Sequence, residues 1–251
     1  LREIRTSSKN VVENSTFEKL KELKILKKCR GTKSGLKQHI DKLNTKYSES
    51  PSIILVNIRS LLCNLEEFEL FYKKHQRFQM IGVTETWLNS NVSNNVLENI
   101  FFNHFIYRSD REGRGGGLLL LINKKWCDKN QKAEIIQLSM RPFYLPRGIN
   151  KCIISLVYVP KEMNRTNYSL LFSDLTSNDE RSTNHIFGDF NYEYTFKSYK
   201  QIVNKPTHGK KIIDLIFFNE ELANNYDTRV TEMNGSSDHL TAIAIFRNSC
   251  N

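Results

Sequence analysis

Six polar residues, Asn57, Glu85, Asp189, Asn191, Asp238 and His239, each fall immediately after an apolar run or immediately before one. Three carboxylates, two amides and an imidazole are the functional groups that hydrolysis of a phosphodiester requires. Carboxylate and amide oxygens suit a hard divalent cation, a carboxylate can orient and deprotonate a water, and an imidazole can donate to a phosphate oxygen as its charge grows. A single Glu after a strand is most often a surface residue, and a single Asp-His pair most often caps a turn. The weight lies in six such residues recurring at the same point of the local pattern, because strand ends converge at one edge of a sheet sandwich.

The elements that must position them are short. Ile53-Ile54-Leu55-Val56 reads as a buried strand ending at Asn57. Leu62, Leu65, Phe68 and Tyr72 then recur at helical spacing over Leu61 to Lys74, and Met80 to Val83 is the next apolar run, giving a strand, helix, strand unit. Phe105 to Arg108 and Leu118 to Ile122 flank Arg111-Glu112-Gly113-Arg114-Gly115-Gly116-Gly117, which reads as a hairpin connection with bulging glycines. It does not read as a phosphate loop, because no Lys-Ser/Thr follows and no helix begins there. Further strands are expected at Glu134 to Leu138, Cys152 to Val159, His185 to Phe187, Ile212 to Phe217 and Leu240 to Phe246, with a helix near Asn167 to Leu175. One early crossover among several hairpin-like pairs predicts an α/β sandwich of two mixed sheets with helices outside.

The chain has 251 residues, 39% hydrophobic and 25% charged, which suits one sizeable folded domain with an appendage. No apolar run approaches the roughly 18 residues of a membrane span. The net charge of +10 points to a polyanionic partner. Residues 1–50 carry 13 Lys and Arg against 6 Asp and Glu, so most of the excess lies there, in a basic flanking segment. Ser15 and Glu18 have capping-box spacing, Phe17, Leu20 and Leu23 share a helical face, and Gly31 suits a stop, so one short helix is expected in it. The domain itself is expected over 51–248. The five cysteines show no C-x-x-C spacing, so neither a cysteine zinc site nor a disulfide framework is indicated, and a reducing intracellular compartment is expected.

Over about residues 52 to 247 the sequence resembles the endonuclease/exonuclease/phosphatase family, and within it the endonuclease domains of non-LTR retrotransposons, which are apurinic-endonuclease-like. The resemblance is carried in order by Asn57-Ile58-Arg59-Ser60-Leu61, Gly82-Val83-Thr84-Glu85-Thr86-Trp87-Leu88, Arg114-Gly115-Gly116-Gly117, Val157-Tyr158-Val159-Pro160, Gly188-Asp189-Phe190-Asn191, Lys205-Pro206-Thr207-His208, Ile213-Asp214-Leu215-Ile216-Phe217 and Ser236-Ser237-Asp238-His239. It implies a deoxyribonuclease-I-like sandwich that nicks DNA with Mg²⁺ (or Mn²⁺) and leaves a 3′-hydroxyl, acting in the nucleus. By the same resemblance Glu85, with Asn57 and Asp238, would hold the metal. Asp189 would position and deprotonate the attacking water beside Asn191. His239, oriented by Asp214, and Tyr158 would donate to the phosphorane, and Thr207, Ser237 and Arg59 would orient substrate or ligands.

The sequence departs from those relatives in two places. Only the 14 residues from Tyr192 to Lys205 separate the Gly-Asp-Phe-Asn and Pro-Thr motifs, where the relatives carry a longer stretch, usually with a helix. Arg59 stands where apurinic-site repair enzymes usually carry an acidic residue. Inositol-phosphate phosphatases and sphingomyelinases share the Asp-x-Asn and Asp-His pairs, so another phosphoester substrate stays open, as does a DNA-binding remnant without activity. Glu-Thr-Trp-Leu and Ile-Asp-Leu-Ile-Phe point to the transposon branch.

Overall fold

The computed structural model describes residues 50–111, 115–127, 137–140, 151–161, 163, 173, 175, 182–233 and 237–247. All of them belong to the second of the two units into which the chain divides, Ser48–Asn251. The expected N-terminal helix, Arg114 and most of the expected helix at 167–175 lie outside the described residues, although Ser173 and Leu175 are helical.

The elements run β1 (Ile53–Asn57), α1 (Leu65–His75), β2 (Met80–Thr84), α2 (Asn94–Ile100), β3 (His104–Ser109), β4 (Leu118–Asn123), β5 (Gln137–Met140), β6 (Lys151–Tyr158), β7 (Ser182–Asp189), β8 (Tyr199–Gln201), β9 (Asp214–Asn219), α3 (Glu220–Ala223), β10 (Tyr226–Thr231) and β11 (Thr241–Phe246). They form a six-stranded sheet in the order β10-β11-β1-β2-β4-β3 and a five-stranded sheet in the order β5-β6-β7-β9-β8. In each sheet one central pair is parallel, β1 with β2 and β6 with β7, and every other pair is antiparallel. The expected two-sheet α/β sandwich is the architecture observed.

Alternation along the strands explains the layering. Ile53 and Leu55 of β1, with Leu118, Leu120 and Ile122 of β4, face Ile154 and Leu156 of β6, Phe187 of β7 and Ile216 and Phe218 of β9 in the central core. The intervening residues Ile54, Val56, Ile81, Val83, Leu119 and Leu121 turn outward and are covered by Phe68, Phe71 and Tyr72 of α1 and by Leu97 and Phe101 at α2. Both faces of β1, β2 and β4 are therefore buried, and their sequences read as unbroken apolar runs rather than as alternation. Close approach of the sheets needs a glycine at one point. A Cβ on Gly82 would lie 2.5 Å from Phe187 and 2.8 Å from Leu156 across the sandwich.

Helix α1 begins at Leu65, four residues later than the spacing predicts. The Asn64 side chain donates to the carbonyls of Ile58 and Ser60, both at 3.0 Å, and this ties residues 58–64 into a turn. Strands β8 and β10 and helices α2 and α3 were not expected from the sequence. Tyr199–Gln201 lies within the short 192–205 stretch and extends the second sheet against β9.

Topology delivers the polar residues to one edge. The C-terminal ends of parallel β1 and β2 carry Asn57 and Glu85, and those of β6 and β7 carry Tyr158 and Asp189. Strand β9 runs antiparallel to β7 with Asp214 opposite Asp189, and β11 runs antiparallel to β1, so its leading loop, Ser237 to His239, arrives beside Asn57.

Candidate active site

A cleft of about 450 Å³ opens at that edge. Asn57, Arg59, Glu85, Tyr158, Asp189, Asn191, Asp238 and His239 all line it, so eight of the eleven expected site residues meet there. The other three stand directly behind. Asp214 is fully buried and accepts from His239 Nδ1 at 2.8 Å. Thr207 Oγ1 accepts from the backbone N–H of Ile213 at 3.2 Å and of Asp214 at 3.1 Å, fixing the start of β9. The Ser237 hydroxyl donates to the Asn57 carbonyl at 2.6 Å and accepts from the His239 N–H at 3.2 Å, which locks the Asp238-His239 loop onto β1.

Asp189 is held from both sides. Asn57 Nδ2 donates to its Oδ2 and the Asn191 N–H to its Oδ1, both at 2.9 Å. Burial raises the Asp189 pKa and the Asp214 carboxylate raises it further, against the lowering by its hydrogen bonds and by His239. Its carboxylate is consequently more basic than an ordinary aspartate. For His239 burial opposes the charged form, but the Asp214 hydrogen bond and the charges of Asp214, Asp189 and Asp238 outweigh it and raise the pKa. The charged imidazolium is thereby favoured more than in a free histidine.

Glu85 is engaged by four groups. Its carboxylate accepts from the Trp87 indole and from the Gly116 N–H at 2.8 Å, and it is hydrogen-bonded to Tyr158. Burial would raise its pKa, yet these three bonds and the Arg111 charge together lower it, so Glu85 is held as a carboxylate. Asp238 is lowered in the same manner: burial raises it, and His208, its own backbone, Arg59 and His239 outweigh that.

Backbone strain clusters at this edge. Arg59, Glu85, Trp87 and Asn191 have φ of 48°, 56°, 54° and 56°, in the left-handed region that non-glycine residues avoid. Neighbouring strands over-determine it. Ser60 N–H donates to the Glu85 carbonyl at 2.9 Å, Leu61 N–H to that of Thr86 at 2.9 Å, and Trp87 N–H to that of Gly116 at 3.0 Å. Gly117 makes this possible, with φ of +86° and a missing Cβ that would otherwise sit 2.5 Å from Thr86 Oγ1. The expected hairpin thus serves Glu85, because Gly116 supplies one of its donors.

The fold matches known structures. The endonuclease domain of TRAS1, a telomere-specific non-LTR retrotransposon, superposes with a TM-score of 0.56 at 13% identity, covering 79% of this chain and 99% of that one. An AP endonuclease from Archaeoglobus fulgidus gives 0.55 at 15% identity over 78% of this chain and 99% of that one. The chain has the endonuclease/exonuclease/phosphatase fold. The truncated TDP2 of Caenorhabditis elegans shares this fold with a TM-score of 0.57 at 13% identity, covering 79% and 97% of the two chains. No protein-family model and no curated protein sequence matches the chain.

Within this fold's cleft the possible ligand atoms gather in two tight groups, Asp189 with Asp214 and His239, and Asp238 with His208 and His239. Glu85 is in neither. Asn57 Oδ1 is buried and has no hydrogen-bond partner among the described residues, which fits a hard cation drawn toward the Asn57 and Glu85 oxygens. Five lining residues have no role assigned from the sequence: Trp87, Arg111, Gly115, Lys161 and His208. Trp87, Gly115 and His208 stand inside the motif strings and Arg111 opens the expected hairpin connection, whereas Lys161 reaches the cleft from a loop that no pattern marks. Among the described residues no helix is long and apolar enough to cross a membrane.

Proposed function

We propose that this chain is a divalent-cation-dependent DNA endonuclease of the non-LTR retrotransposon type, nicking chromosomal DNA in the nucleus to leave a 3′-hydroxyl. The observation that carries this reading is the meeting, in one cleft, of a basic carboxylate gripped by two amides and a histidine–aspartate pair. Three cations, Arg59, Arg111 and Lys161, line the same cleft and suit a phosphate backbone. The likeness to the TRAS1 endonuclease domain and to an AP endonuclease supports a DNA substrate.

Glu85 and Asn57, with Asp238, would hold Mg²⁺ or Mn²⁺, which when bound neutralises charge on the phosphate and the departing oxygen. Asp189 orients a water through its carboxylate and takes one proton from it as the oxygen attacks phosphorus. Asn57 and Asn191 keep that carboxylate aimed. The bond from phosphorus to O3′ breaks, the water's oxygen stays on the 5′-phosphate, and O3′ takes a proton from solvent to leave as the 3′-hydroxyl. His239, with Nδ1 committed to Asp214, presents its other ring nitrogen to the non-bridging oxygens as they gain charge, and the Tyr158 hydroxyl adds a donor.

A supercoiled plasmid incubated with Mg²⁺ tests this reading. Nicked circles that a polymerase extends without end repair are expected, lost with EDTA and in Asp189→Ala and His239→Ala. Binding of the plasmid without any nicking by the unaltered chain refutes the enzymatic reading, and faster release of phosphate from an inositol phosphate refutes the DNA substrate.

A further inference from the structure

His208 holds a position that the proposed hydrolysis does not use. A tight turn brings it back onto the Asp238-His239 loop. The His208 and Lys211 backbones bond each other in both directions, at 3.1 and 3.0 Å, around Gly209 at φ +58°. His208 in turn bridges His239, and Leu240 N–H donates to the Thr207 carbonyl at 2.7 Å. The two imidazole rings lie 4.5 Å apart and tilted by 41°. His208 Nε2 is 3.2 Å from Asp238 Oδ2, and one ligand atom from each of His208, Asp238 and His239 falls within 4.8 Å of the others.

Two imidazoles and one carboxylate are not a magnesium donor set. Magnesium takes oxygens, whereas imidazole nitrogens favour late first-row transition metals. Zinc bonds to His and Asp have arms of about 2.0–2.2 Å, so adjacent ligand atoms of a tetrahedron stand about 3.3 Å apart. The His208–Asp238 separation already has that span. His239 also carries the outer partner that zinc-bound histidines have: its Nδ1 is bound to the buried Asp214 carboxylate, which leaves Nε2 as the ligand atom once the metal displaces its proton. A fourth position is open to the cleft, as three protein ligands and a water require.

We infer that His208, Asp238 and His239 form a transition-metal site, selective for zinc over magnesium, which takes His239 away from the phosphate and so inhibits hydrolysis. Zinc occupying Nε2 removes the donor that His239 offers the phosphorane, and it also claims Asp238. The binding half of this inference is independent of the proposed function, and the inhibition half rests on it.

Cobalt(II) is the probe, because its visible absorption reports coordination by nitrogen ligands at low coordination number. The chain is titrated with Co²⁺ in excess Mg²⁺ without DNA, then with Zn²⁺. An intense visible band saturating at one equivalent and removed by Zn²⁺ is expected. His208→Phe keeps a ring on His239 and should bind at least about tenfold more weakly. His208→Cys should restore binding and add a thiolate charge-transfer band, and melting curves confirm that each variant is folded. No band, or an equal band in His208→Phe, overturns the site. In plasmid nicking, the Zn²⁺ concentration for half-inhibition, relative to each protein's own Mg²⁺ rate, should rise at least about tenfold in His208→Phe. Equal inhibition of both proteins overturns the regulatory half. A chain that never nicks refutes the proposed nuclease while the Co²⁺ titration still decides the site.

Discussion

Asn57 and Asp189 join the two sheets at the cleft edge: Asn57 closes β1 of the first sheet, Asp189 closes β7 of the second, and the Asn57 amide donates to the Asp189 carboxylate at 2.9 Å. The sandwich therefore sets the aim of the carboxylate, because relative movement of the sheets would separate the pair.

Asn57→Ala removes that donor and leaves a buried carboxylate oxygen unpaired. The loss is expected to lower the nicking rate by about 10²-fold, within the range of general-base effects, and to destabilise the fold by about 1–3 kcal/mol. Nicking kinetics and chemical denaturation read the two effects separately. An unchanged rate would remove Asn57 from the account of how Asp189 is held.

Asp214→Asn tests the histidine pair. Asp214 is buried, its backbone N–H donates to Thr207 Oγ1 and its carboxylate accepts from His239 Nδ1, so the amide fits the same volume while losing the charge that raises the His239 pKa. Nicking should fall by about 10²–10³-fold and the acidic-to-neutral range over which His239 stays protonated should shrink. Titration of the His239 ring by NMR checks this. A pKa equal to that of the unaltered chain would show that the pairing has no electrostatic consequence.

Gly117→Ala places a methyl where Thr86 Oγ1 stands, at a φ of +86°. The strain should cost about 1–3 kcal/mol. At roughly 2–4 °C per kcal/mol for a chain of this size, the melting temperature should drop measurably. Because Gly116 of this hairpin donates to Glu85 and accepts from the Trp87 N–H, affinity for the proposed activating cation should weaken too. A variant that melts and binds cation like the parent would show that the hairpin is less constrained than its contacts imply.

Strand ends were legible because burial on both faces gives β1, β2 and β4 unbroken apolar runs, and the first polar residue after such a run marks the edge of the sandwich. Asn57 and Asp189 are found that way. Elements with one covered face were not legible. Strand β10 buries only Tyr226 fully, and in α2, Asn-Asn-Val-Leu-Glu-Asn-Ile, only Leu97 is buried, so neither carries a strong period. His208 was invisible for another reason. Its place beside His239 depends on a two-residue turn at Gly209-Lys210, and spacing along the chain does not report which loop a turn folds against.

Two buried histidines make stability depend on pH. His104 Nε2 donates to the Phe78 carbonyl at 3.0 Å, so its Nδ1 must accept from the Tyr72 hydroxyl, also at 3.0 Å, and the neutral ring is satisfied on both sides. Burial above all depresses its pKa to about 4, and burial depresses that of His185, beside Cys152 Sγ, to about 3. Between those values and about 6.5 the unfolded chain binds the protons that the folded histidines refuse, so their contribution to stability is full above about 6.5 and is lost as the pH drops. Together the two histidines contribute about 2.7 kcal/mol per pH unit around pH 5, and Asp189, raised to about 7 by burial and by Asp214, works in the opposite sense and offsets about half of it. His185→Gln should remove about half of the histidines' contribution. Denaturation at a series of pH values measures the slope, and a His185→Gln profile parallel to that of the parent would show that His185 already binds its proton in the folded chain.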